Sequence, residues 1–327
     1  MESGTTVLVT GGAGFIGSHL VDRLLDERCD VRVLDNFATG HRANLAGTID
    51  DIELVEGDMQ SYERCHNAVR GCEVVFHVGA LPSVPRSIQD PLTSTNANVI
   101  ATLNILLASR DEGVRRVVYS SSSSVYGANE ALPKHEDLQT LPIAPYAVSK
   151  LAAEGYCRSF TQVYGLETVA LRYFNIFGPR QDPFSQYSAV MPLFISAFLE
   201  DRRPVVYGDG EQSRDFTYID NAVEANVLAA RAASGAVAGQ RFNIACGEQI
   251  SLNRILERLR ELSGKEIEAV YRDPRPGDIR HSLADVSHAG ESLGYEPRVD
   301  ALDGVERAYA YYRERHEADK TPAGGLS

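Results

Sequence analysis

A glycine-rich turn near the N-terminus constrains this chain most. Thr6-Val7-Leu8-Val9-Thr10 is a short apolar run rich in β-branched residues, and Gly11-Gly12-Ala13-Gly14-Phe15-Ile16-Gly17 follows it directly. Leu20, Val21, Leu24 and Leu25 then recur at helical spacing between Ser18 and Glu27. Strand, glycine turn and helix in that order are the context of a dinucleotide site. Gly11 allows the tight turn, Gly14 lets the backbone approach a pyrophosphate, and Gly17 lets the helix pack close to the strand. The pyrophosphate then rests on the free N–H groups of the helix N-terminus. The next strand, Val31-Arg32-Val33-Leu34-Asp35, closes on an acid. Asp35 accepts from the adenosine ribose hydroxyls and repels a 2′-phosphate, which favours NAD over NADP. Gly57-Asp58-Met59 ends a further strand and brings Asp58 towards the adenine.

Strand and helix signals alternate from Thr5 to Asn175, with strands expected near 5–10, 30–35, 52–58, 73–79, 116–121 and 167–174. Helical stretches are expected near 15–27, 60–70, 95–112 and 145–165. This is the pattern of an α/β chain with a doubly wound, Rossmann-type parallel sheet and right-handed crossovers. Val74 to Ala80 reads as a buried strand, so His77 within it reads as a packed, hydrogen-bonded histidine. Beyond Asn175 the pattern loosens, with a helix near 189–200, a strand near 204–207 and a last helix near 301–317.

A net charge of −13 argues against non-specific nucleic-acid binding. No apolar stretch approaches the ~18 residues of a membrane span, and the N-terminus runs straight into the first strand without the pattern of a signal peptide. Cys29, Cys65, Cys72, Cys157 and Cys246 are odd in number and scattered without metal spacing, which suits reduced thiols in a cytoplasm and no bound metal.

The reaction class is written in Pro145-Tyr146-Ala147-Val148-Ser149-Lys150 and in the upstream run Ser120-Ser121-Ser122-Ser123-Ser124-Val125-Tyr126-Gly127. A free tyrosine, with a pKa near ~10, is a poor base at neutral pH. A lysine four residues on shares its helix face, and its charge favours the phenolate. A serine at the end of the preceding strand can hold the substrate oxygen whose proton the tyrosine takes. Together these groups remove a hydroxyl proton while a hydride leaves the same carbon.

GGAGFIG, Asp35, SSSSVYG, YAVSK, RYFN and RDFTYID, in that order, resemble the extended short-chain dehydrogenase/reductases that act on nucleotide sugars. The resemblance spans roughly residues 5 to 315 and is nearest to UDP-hexose 4-epimerases, in the subgroup handling UDP-N-acetylglucosamine and UDP-N-acetylgalactosamine. The stretches Ala80–Ser87, Arg172–Pro183 and Gly277–Asp285 carry the finer match. Pro82, where a small flexible residue is usual, and Phe184–Tyr187, after Arg180-Gln181-Asp182-Pro183, depart from it. The resemblance implies Ser122, Tyr146 and Lys150 as the catalytic group. It implies NAD held by Gly11, Gly14, Phe15, Ile16, Gly17, Asp35, Asn36, Asp58, Met59, Tyr146, Lys150 and Tyr173, the last near the nicotinamide. On the substrate side it implies Ser83, Ser122, Asn175 and Val190, with Tyr207 and Phe216 flanking the uridine. Arg214 and Arg275 would hold the diphosphate, Asp278 the ribose, and Ser282 would leave room for a 2-acetamido group. Guanidinium forks suit phosphate oxygens.

The same resemblance implies a discontinuous layout. Residues 1–175 with 219–245 would bind NAD, 176–218 with 246–317 would bind the sugar nucleotide, and 318–327 would form a flexible tail. A homodimer is implied through the helices near 95–112 and 145–165, whose outer faces carry Leu103, Leu106, Leu107, Ala152 and Tyr156, residues that equally suit an intramolecular core. A nucleotide-sugar 4,6-dehydratase is disfavoured, because Ser123 and Ser124 stand where that chemistry places an acidic pair. A UDP-glucuronate decarboxylase or 4-epimerase, with Arg86 or Arg180 on the carboxylate, is the remaining enzymatic alternative. A NAD-sensing scaffold is the non-enzymatic one, since fold does not fix function.

Overall fold

The computed structural model describes residues 1–182, 190–274 and 280–320. Seven parallel strands form one sheet: β1 (Thr6–Thr10), β2 (Asp30–Asp35), β3 (Ile52–Glu56), β4 (Val74–His77), β5 (Arg116–Ser122), β6 (Glu167–Tyr173) and β7 (Gln240–Ile244), in the order β7-β6-β5-β4-β1-β2-β3. Val7, Leu8, Val9, Val74, Val75, Phe76, Val117 and Val118 have no solvent exposure. Such unbroken apolar runs suit a parallel sheet covered on both faces. One face carries α1 (Phe15–Asp26); the other carries α2 (Tyr62–Val69), α3 (Ala101–Asp111) and α4 (Pro145–Tyr164). The strand order reverses between β1 and β4, and ligands of such sheets bind outside the carboxyl ends at that point.

The expected elements of this half are present with ends shifted by a residue or two, apart from the expected helix 95–112. That stretch is three pieces: a turn Pro91–Thr95, a π-helical turn Asn96–Ile100, and α3. Asp90 starts the series by accepting from Thr93 N at 3.0 Å. A short helix Val84–Gln89, capped by Ser83, was not expected.

The second half begins with α5 (Val190–Leu199) and continues with α6 (Ile219–Arg231), which returns to the sheet beside α1. β7 follows it onto β6, with Ile244 opposite Tyr173. α7 (Leu252–Ser263) and α8 (Ala301–Lys320) pack together. α8 runs to Lys320, into the segment expected as a tail. Three two-stranded ladders tie this half together: Ile176–Phe177 with Thr217–Tyr218, Ser213–Arg214 with Ile250–Ser251, and Val205–Tyr207 with Val270–Arg272. Among the described residues no helix is long and apolar enough to cross a membrane, and no cluster of His, Cys, Asp and Glu could hold a metal ion.

Candidate active site

The glycine turn sits where β1 ends. A Cβ on Gly11 would lie 2.6 Å from Gly79 Cα, and one on Gly17 would lie 2.1 Å from the Gly11 carbonyl oxygen. Only hydrogen fits at either place, so α1 starts hard against the strand. Gly14 is its N-cap, with no side chain bonding the first turn and no acidic residue in it. The N–H groups there remain available to an anion. Asp35 is 7% exposed and accepts from Ala13 N at 2.9 Å and Phe37 N at 2.7 Å. A carboxylate has about four acceptor positions, so both oxygens keep capacity for ribose hydroxyls. Asn36 donates to Asp58 at 3.0 Å, and Met59 packs against Gly79. Gly11, Gly14, Gly17 and Asp35 thus lie in one region at the carboxyl ends of β1 and β2, with Phe15 and Ile16 opening α1 and with Asn36 bonded to Asp58. The bare glycine wall, uncapped helix end and terminal acid fit a dinucleotide.

The reacting groups lie at the carboxyl edge of the same sheet. Ser122 ends β5 directly opposite Tyr173, the last residue of β6. Tyr146 opens α4, one residue after Pro145, a position where proline costs no hydrogen bond. The Ser122 side chain lies close enough to the Tyr146 phenol to oppose its rise, and its hydroxyl accepts from Ser124 N at 3.2 Å. Lys150, one turn on, lies 5.9 Å from the Tyr146 ring and donates to the Ser120 carbonyl at 2.7 Å.

Sequence reasoning expected Lys150 to pull the phenol down. In this structure burial instead pushes Tyr146 up to about 12, opposed by Ser122. The lysine donates to a carbonyl and stands off the ring, so burial sets the direction of the shift. Burial pushes Lys150 down to about 8, with Cys157 and Glu154 acting the other way. Its ammonium form therefore still predominates at pH 7.

Tyr173 is held by Asn226 Nδ2 at 2.6 Å and by Ser120 Oγ at 3.2 Å, and burial pushes it up to about 12. His77 is packed and hydrogen-bonded as expected, pushed down to about 3 by burial and by Lys150. Thr102 spends its proton on Asn98 O at 2.6 Å, so it accepts from His77 Nε2 at 2.9 Å. Nδ1 then accepts from Thr10 at 2.8 Å, which fixes a neutral ring.

Three supporting residues escaped the sequence reading. Ser87, fully buried on the short helix after Ser83, accepts from Tyr146 N at 3.0 Å. Asn98, on the π-helical turn, binds Ser149 Oγ and both backbone groups of Leu81. Glu154 forks Arg172 at 2.9 and 2.7 Å and accepts from Ser121. Only Glu154 had a local signal, since it lies one turn beyond Lys150.

On the substrate side Ser83 holds a positive φ of 110° and caps its helix through Arg86 N at 3.2 Å. Asn175, also at positive φ, donates to Asp215 O at 2.9 Å. Arg214 donates to the carbonyls of Ser213 and Arg280 at 2.9 and 3.0 Å. Ser282 N donates to Ser213 O at 3.1 Å, which sets Ser282 beside the arginine strand. Val190 opens α5, and Tyr207 ends its small strand half-buried. Phe216 is different: it is 3% exposed and meets Phe177 edge-to-face, a core side chain rather than an open platform. The apolar core takes the ring against Phe177, which in turn meets Tyr218 edge-to-face. Arg275 and Asp278 lie outside the described residues, as does the loop 184–187.

The model of the NAD dependent epimerase/dehydratase family matches residues 7–245. The chain is 37% identical to the UDP-glucose 4-epimerase of Mycolicibacterium smegmatis, over 95% of this chain and 99% of that one. It superposes with a TM-score of 0.91 and 39% identity on the UDP-N-acetylglucosamine 4-epimerase of Methanobrevibacter ruminantium, solved with UDP-N-acetylmuramic acid, covering 96% of this chain and all of that one. The UDP-glucuronic acid 4-epimerase of Bacillus cereus, solved with UDP-glucuronic acid and NAD, is 32% identical at a TM-score of 0.87, covering 95% and 99%.

Proposed function

Since the chain belongs to the NAD dependent epimerase/dehydratase family, we propose that it is a UDP-hexose 4-epimerase acting on UDP-N-acetylglucosamine and UDP-N-acetylgalactosamine as well as UDP-glucose and UDP-galactose. One observation carries the reading: Ser122, Tyr146 and Lys150 converge at the carboxyl edge of β5, beside a glycine crevice closed by Asp35. When bound, NAD supplies the reversible hydride acceptor that chemistry at C4 requires. Tyr146 takes the 4-hydroxyl proton and later returns it. Ser122 holds the oxygen, and the Lys150 charge favours the phenolate. A 4-keto sugar then has to offer both faces, so the binding energy belongs in the UDP. Asn175, Arg214 and Arg275 supply it on the phosphates. The sheet with 219–245 carries the cofactor, and 176–218 with 246–317 carry the sugar nucleotide.

Elimination is disfavoured, because Ser123 and Ser124 open the turn after Ser122 and offer no acid or base there. A uronate substrate would place its carboxylate on Arg86 or on Arg180, which is paired with Asp22 of α1 at 2.7 Å, and the small residue at Ser282 favours an acetamido sugar over either arrangement. Ser282 leaves the pocket wall small, which supports acetamido sugars. The five free cysteines suit a reducing cytoplasm. The test is turnover of each UDP-sugar by the NAD-loaded protein. Galacto-configured product supports the reading, whereas an accumulating keto or unsaturated sugar would replace it with a dehydratase.

A further inference from the structure

Asp215 has no solvent exposure, yet its carboxylate has no role in the reaction drawn above. Its oxygens accept from three backbone N–H groups on two separate segments: Cys246 at 2.9 Å, Gly247 at 3.1 Å and Ala284 at 3.1 Å. Its own carbonyl accepts from Asn175 at 2.9 Å. Arg214 precedes it, and Ser282 lies two residues before Ala284. One residue therefore joins the end of β7, the arginine strand, the Asn175 turn and the segment bearing Ser282.

We propose that Asp215 is the positioning residue of the sugar-nucleotide site, its ionised carboxylate fixing the spacing between the diphosphate contacts at Asn175 and Arg214 and the sugar wall at Ser282. The inference rests on the epimerase reading for the identity of the ligand. A carboxylate is an acceptor only, which is what three converging N–H groups need. Protonation, or an amide in its place, turns one oxygen into a donor facing donors. Gly247 and Ala284 share Oδ2, so losing that oxygen as an acceptor releases Ala284 and leaves the other segment held by Cys246 on Oδ1 alone.

Burial holds the Asp215 carboxyl up at about 6 against the pull of the three N–H groups, and Glu248 adds to the rise. The Cys246 thiol and Tyr295 hydroxyl, both raised by burial, feel Asp215 from the neighbouring segments. Arg214 adjoins it, and His281 bonds Ser213 Oγ at 2.8 Å. Because the folded value exceeds the unfolded one, protonation favours the folded chain as pH falls from about 6 to about 4. Ligand affinity, by contrast, should fall over the same range. A residue that served stability alone would not separate the two.

The experiment measures UDP-N-acetylglucosamine affinity by calorimetry, and KM and kcat, from pH 5 to 8 on the NAD-loaded enzyme. This ligand's diphosphate has no ionisation of its own in that range, unlike free UDP. Wild-type affinity is expected to fall about tenfold through pH 6, with kcat falling less. Asp215→Asn is expected to bind about tenfold more weakly at pH 7.5, with no further change on acidification and with NAD retained. Wild-type affinity in Asp215→Asn at pH 7.5, or a persisting acid limb, would overturn the inference. If that variant loses NAD, His281→Asn decides: a retained acid limb supports Asp215, and its disappearance assigns the limb to the histidine. Absence of turnover with the pH-dependent binding intact would overturn the epimerase reading alone.

Discussion

Tyr146 and Lys150 are both displaced by burial, and in opposite senses. The phenol is held up near 12 and the ammonium down near 8. Removing the phenol is therefore decisive: Tyr146→Phe should lower kcat by about 10³-fold while the cofactor stays bound, measured by turnover and by NAD content. Lys150 loses its charge as pH rises through about 8, and with it the field that favours the phenolate. The rate should fall along that limb, and Lys150→Met should have low kcat at every pH and no such limb. Ser282→Tyr should abolish turnover of the acetamido substrates and spare UDP-glucose. Residues of this kind were legible because their partners sit nearby in sequence or in a fixed motif: Tyr146 with Lys150, the glycines with Asp35. Asp215 and Ser87 were not, because their bonds reach 31 to 69 residues along the chain. The expected depression of Tyr146 failed for a related reason, since spacing places a charge on a face but does not report what its nitrogen bonds to.

At the scale of elements, the first turn of α1 depends on a glycine that tolerates no side chain. Gly17→Ala would press a methyl onto the Gly11 carbonyl, a backbone atom that cannot move aside. It should cost about 1–3 kcal/mol and lower NAD affinity, read by urea unfolding and by retained cofactor. Between α4 and β6 the buried pair Glu154–Arg172 is 7% and 2% exposed. Arg172→Met strands the carboxylate, so a loss of about 3–5 kcal/mol is expected. The sheet and its helices were readable because each run is long enough to show its period. The two-residue ladders of the second half carry no period at all, and only their long-range partners define them. The expected helix 95–112 broke because Pro91 and Asp90 start a turn early and the chain absorbs the offset as a π turn.

At the scale of the molecule, an apolar stripe on α4 remains open. Val148, Tyr156 and Val163 are 50%, 39% and 67% exposed, and Ile100 beside α3 is 43% exposed. Of the two readings of the α3 leucines, core and outer face, Leu106 takes the first: it is fully buried in the core, with Leu103 and Leu107 packed against it. A stripe of this kind fits the homodimer that the family resemblance implies through α3 and α4. Val148→Asp with Val163→Asp should yield a monomer by light scattering, and an unchanged mass would remove the stripe from the interface. The central claim is the reaction itself. Incubating the purified protein with UDP-N-acetylglucosamine and NAD, and following the sugar by proton NMR, tests it most directly. Conversion to the galacto epimer, at a rate comparable to or above that with UDP-glucose, is the predicted result. No epimer from either substrate would contradict it.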